Sequence, residues 1–136
     1  MTFGGESRRS QADIKDMLKY LDEVVADYKR CISMIGKLGY AAPQLLYYRD
    51  EVQDLIELLS GEQGVDLKER WARVRELDLQ LRGRASDFVH EVGHSNFKQY
   101  QIVNNPPLTR WWWYMNRTTV KLENKTPRWQ WWRKEE

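Results

Sequence analysis

The chain has 136 residues, with 22 Lys+Arg against 20 Asp+Glu for a net charge of +2. That length holds one small domain and excludes a second independent core. Hydrophobic residues at 41% and charged residues at 31%, with a mean hydropathy of −0.78, fit a folded globular chain and argue against global disorder. The single cysteine, Cys31, excludes an internal disulfide, an iron–sulfur cluster and a cysteine-based zinc finger. It falls on an apolar helical stripe, where a buried, reduced thiol is expected. No run approaches the roughly 18 apolar residues of a membrane span, and the first twenty positions lack the apolar stretch of a signal peptide. The expected location is therefore an intracellular reducing compartment, cytoplasmic or organellar, with peripheral membrane association open and secretion not expected.

Residues 1–9 read as a flexible N-terminus. Ser10, with Asp13 three residues on, is a helix-start signal, and apolar residues then recur at Ile14, Met17/Leu18, Leu21, Val24/Val25, Tyr28, Cys31/Ile32, Ile35 and Leu38. This three-to-four spacing predicts a long amphipathic helix ending near Gly36 or Gly39. Pro43 suits a first helical turn, and Leu45, Tyr48, Val52, Leu55 and Leu59 predict a second helix closed by Ser60-Gly61. Asp66, with Glu69 three on, opens a third whose stripe runs from Leu67 through Trp71, Val74, Leu77, Leu81, Ala85 and Phe88 to Val92, with Gly83 weakening it only locally. Short links between three such helices favour antiparallel neighbours. The fold class expected is mainly α, a helical hairpin or three-helix bundle over residues 10–104, with docking to other subunits, or to a second copy as a homodimer, through uncovered apolar faces.

His90-Glu91-Val92-Gly93-His94 matches the pattern H-E-x-x-H, in which two histidines four apart on a helix bind zinc and the glutamate polarises the bound water. The five residues resemble the zincin metallopeptidases. That resemblance implies His90 and His94 as zinc ligands and Glu91 as general base, in a small zinc peptidase. The longer zincin signature asks for glycine and histidine where Phe97 and Tyr100 stand, and the nearest downstream carboxylate, Glu123, lies outside any helical pattern. On one continuous helix, at about 100° per residue, both histidines point away from the core stripe. A structure without a cofactor is the main expectation, and zinc is the alternative.

The chemistry of the chain changes at Asn104-Asn105-Pro106-Pro107. Residues 105–136 carry seven basic side chains against three acidic ones, a balance of +4 that leaves −2 for the remainder, and they hold six of the seven tryptophans. Two segments align at an interval of 18 residues: Arg110-Trp111-Trp112-Trp113-Tyr114 and Arg128-Trp129-Gln130-Trp131-Trp132, the second followed by Arg133. Between them, alternating residues and a turn-like Glu123-Asn124-Lys125-Thr126-Pro127 predict extended segments or a short β-hairpin. The second segment is similar to the Arg/Trp core of lactoferricin-type membrane-active peptides.

Indole beside guanidinium suits a surface that is apolar at one depth and anionic at the next. Arg110, Trp111, Trp112, Trp113, Tyr114, Arg128, Trp129, Trp131, Trp132 and Arg133 are therefore the candidate partner- or membrane-binding residues. The competing expectation is that the indoles fold back on the helical body, with arginines stacked on them. The functional expectation is a non-enzymatic accessory or structural subunit of a larger, membrane-associated assembly. Two alternatives are the zinc metallopeptidase and a single-stranded nucleic-acid-binding protein; nucleic acid is the less favoured partner because the body carries no broad basic footprint.

Overall fold

The computed structural model describes residues 10–117. Those residues form α1 (Gln11–Ser33), a 3-10 turn (Gly39–Ala41), α2 (Gln44–Ser60), α3 (Lys68–Gly83), α4 (Ala85–Val92), α5 (His94–Asn104) and a second 3-10 turn (Trp111–Tyr114). The mainly helical class read from the sequence is what the structure has, and no strand occurs among the described residues. The N-terminal nine residues and the expected β-hairpin beyond Arg117 lie outside the described residues. Among the described residues, no helix is long and apolar enough to cross a membrane.

α1 begins at its sequence signal but ends at Ser33, short of the expected Gly36 or Gly39, while α2 starts after Pro43 and ends at Ser60-Gly61 as its signals place it. Ser10 Oγ accepts the amide of Asp13 at 3.1 Å, satisfying one of the orphan N–H groups of the first turn. The stripe Ile14, Leu21, Val24, Val25, Tyr28, Cys31 and Ile32 is buried, the cysteine included, so the thiol belongs to the core, where burial raises its pKa. From α2, Leu45, Leu46, Val52, Ile56 and Leu59 meet it.

Cross-links fix the directions of the helices. Asp22 pairs with Arg70, Tyr28 with Asp78, and Arg84 reaches the carbonyls of Ile32 and Ile35. A nearly constant offset makes α3 run parallel to α1. Tyr20 bonds Glu51, and residues 34–43 turn the chain tightly into α2, so α2 runs antiparallel to both. The core is one cluster shared by the three helices and closed at one end by Phe88, Val89 and Val92 of α4 and Phe97 of α5.

The predicted third helix is corrected. Its stripe does not run unbroken from Asp66 to Val92: α3 begins at Lys68, whose amide is capped by Asp66, ends at Gly83, and gives way at Arg84 to the short α4. A second break follows at Gly93, whose φ of 96° lies in a region costly for any residue with a Cβ. The chain then turns into α5, pinned to α4 by an edge-on contact of Phe88 with Phe97 at 6.1 Å.

The breaks have a physical function. Arg84 Nη1 and Nη2 donate to the carbonyls of Ile32 and Ile35 at 3.2 and 2.9 Å, capping the C-terminal end of α1 where a cation is favoured. Glu91, seven residues on, accepts the amides of Gly36, Leu38 and Gly39 at 2.7, 2.6 and 2.9 Å. Positive φ at Gly36 and Gly39 turns these amides inward, so that one carboxylate satisfies three donors of the turn. Glu91→Ala is expected to cost roughly 1–3 kcal/mol in urea unfolding and to speed amide exchange at Gly36, Leu38 and Gly39. Unchanged stability and exchange in that variant would contradict the anchoring role.

Candidate functional site

Two charged residues sit on apolar stripes. Arg49 lies between Leu45 and Val52 on α2, and Asp78 between Val74 and Leu81 on α3, so both must enter the core. Arg49 is 2% exposed. Its Nε and Nη2 donate to the two carboxylate oxygens of Asp78 at 2.9 and 3.0 Å, the bidentate geometry in which an arginine–carboxylate pair is strongest, and Nη1 donates to Gln53 Oε1. The hydroxyl of Tyr28 donates to Asp78 Oδ1 at 2.6 Å, which brings α1 into the same cluster.

The first aromatic segment completes this cluster. After α5 the chain reverses at Asn105, whose φ is 44°, and Pro106 and Pro107 carry it back over α2. Trp112 lies with its ring 4.1 Å from the Arg49 guanidinium carbon, and Trp71 of α3 stands 5.9 Å from it. The indole faces thereby shelter the cation from water. At the adjacent position of α2, Asp50 Oδ1 accepts Trp112 Nε1 at 2.9 Å, Trp113 Nε1 at 2.8 Å and Arg110 Nη1 at 3.1 Å, while Arg110 Nη2 reaches Asp54 at 2.6 Å. Trp113 stands edge-on to Tyr47, and Gln101 of α5 donates to its carbonyl at 2.7 Å. Trp111 is half-buried under Arg82, 4.1 Å away, and Tyr114 donates to the carbonyl of Pro106.

Within the first segment, Trp112 and Trp113 face the helical body rather than outward. Trp112 is 2% and Trp113 0% exposed, so neither presents a free ring to a partner. Arg110 is committed to Asp50 and Asp54. The physical reason is the α2 pair Asp50/Asp54, four residues apart on one helical face, which receives the arginine and both indole N–H groups together. The fold-back reading, with arginines stacked on indoles, describes this half of the tail. Arg128, Trp129, Trp131, Trp132 and Arg133 lie outside the described residues.

His90 and His94 are both exposed, but the Gly93 break puts them on different helices, so they do not share the single helical face that the zinc pattern requires. Glu91, the expected general base, is engaged by three backbone amides. Among the described residues no group of three or more His, Cys, Asp or Glu side chains is placed to hold a metal ion. Beside the cluster, Gln53, Glu57, Trp71, Thr109 and Trp111 line an open cleft of about 450 Å³. Comparison with protein-family models, with curated proteins and with solved structures finds no match to this chain.

Burial, and then the Asp78 carboxylate, raise the Tyr28 pKa far above its ordinary value, because the fold accepts only the neutral phenol. A raised folded-state pKa makes its contribution to stability fully present below about pH 10 and lost as pH rises further. Tyr28→Phe is therefore expected to lose less stability than the parent between about pH 9 and about pH 11. Parallel alkaline profiles in chemical denaturation would show that this phenol is not the responsible group.

Proposed function

We propose that the protein is a non-enzymatic accessory or structural subunit of a larger, membrane-associated protein assembly, joined to it by the second Arg/Trp segment. One observation supports this reading above the others. The first Arg/Trp segment is fixed to α2 through Asp50, Asp54 and Arg49, so the chain enters the remaining tail from a fixed, exposed position at Arg117. Arg128, Trp129, Trp131, Trp132 and Arg133 repeat the composition of a segment whose partners on this body are already taken. Their chemistry matches an interface where an apolar layer lies next to phosphate or carboxylate. The helical body gives the segment a rigid base.

The test uses the full chain in its native cell. The intact protein is expected in the membrane fraction, migrating on native gels as a species larger than its monomer. Trp129→Ser/Trp131→Ser/Trp132→Ser is expected to release most of it to the supernatant. Recovery of the intact sequence as a soluble monomer would contradict the proposal, as would an unchanged distribution of the variant.

A further inference from the structure

From Val92 to Leu122 the chain contains no aspartate or glutamate, although it has 20 of them elsewhere. This stretch includes α5 and the elbow after it, and its charged side chains up to Arg117 are Lys98, Arg110 and Arg117. Three bulky aliphatic side chains stand in water there: Ile102 is 73%, Val103 70% and Leu108 74% exposed. Phe97 is the buried residue of α5. At about 100° per residue, Ile102 and Val103 lie ~140° and ~240° around the helix from Phe97, on either side of the outward direction.

The elbow carrying Leu108 is held from within. Pro106 is buried and its carbonyl accepts the Tyr114 hydroxyl, while Asn104 donates to Tyr47 and Trp113 locks the following turn to α2 and α5. Cations border this apolar tip: Lys98 is exposed one turn before Ile102, and the exposed Arg117 stacks on Tyr114 at 4.6 Å. A fixed apolar tip, on a stretch of chain with no carboxylate of its own and with cations at Lys98 and Arg117, fits a surface with an acyl layer beneath anionic headgroups.

We infer that Ile102, Val103 and Leu108 form a wedge that enters the interface of an anionic lipid surface, with Lys98 and Arg117 meeting the phosphates. This rests on the membrane attachment proposed above and adds a second, independent contact from the folded body.

The experiment is flotation of the purified full chain with phosphatidylcholine vesicles, with and without phosphatidylglycerol. The parent chain is expected to float with the phosphatidylglycerol vesicles. Ile102→Asp/Val103→Asp/Leu108→Asp is expected to bind about tenfold more weakly while keeping the folded circular dichroism spectrum of the parent at the assay temperature, because all three side chains are exposed. Lys98→Glu, which keeps the apolar tip, is expected to show a smaller loss that vanishes at high salt. Comparison with Trp129→Ser/Trp131→Ser/Trp132→Ser separates the two contacts. Loss only in that variant overturns the wedge and leaves the tail as the attachment. Loss only in the aspartate variant supports the wedge and removes the tail's role. A parent chain that ignores both vesicles overturns the wedge, as does one that instead forms a dimer abolished by the aspartate substitutions.

Discussion

One guanidinium joins four parts of the chain. Arg49 is removed from water by Trp112 and Trp71, neutralised by Asp78 and braced by Gln53, and through Asp78 it is linked to Tyr28. A charge buried this deeply is tolerated only if every face of it is answered, because losing one partner leaves the other charge unpaired in the core. The three long helices and the returning aromatic segment are thus interdependent. α1 supplies the phenol, α2 the arginine, α3 the carboxylate, and the segment after α5 the ring that closes the cluster.

This arrangement divides the basic, tryptophan-rich C-terminal region by use. Its first half belongs to the folded body: Asp50 collects two indole N–H groups and a guanidinium on one oxygen, and Gln101 holds the same turn from α5. The aspartates at 50 and 54 sit on a single face of α2 and match the positive charge that the sequence places after the proline pair. The same residue types that mark an external interface here build an internal one, since indole and guanidinium answer a helix surface as well as a membrane or a partner.

Much of the fold was legible in the sequence because the first two helices carry sustained apolar periodicity and clear end signals at Ser10, Pro43 and Ser60-Gly61. The third stripe misled, since its periodicity continued through the backbone break at Arg84. The break at Gly93 follows from a positive φ that no apolar pattern encodes, and α5 buries only Phe97, too little to announce a helix. The H-E-x-x-H pattern names residues without their helix geometry. Glu91 serves the turn after α1, 52 or more residues away in sequence, and such a pairing is invisible to local reading. The Arg49–Asp78 cluster did leave a signal, in two opposite charges at apolar-stripe positions of neighbouring helices. The destination of Trp112 and Trp113 left less, because burial and outward display ask for the same composition.

The fold depends on the first aromatic segment being sealed into the body over Arg49, and exchange of its indole N–H groups with solvent deuterium reads this directly. In the native protein Trp112 and Trp113 are predicted to exchange only through global unfolding, and Arg49→Met is predicted to accelerate both by opening the cluster. Exchange of these two indoles in the native protein at the rate of a free peptide would contradict it.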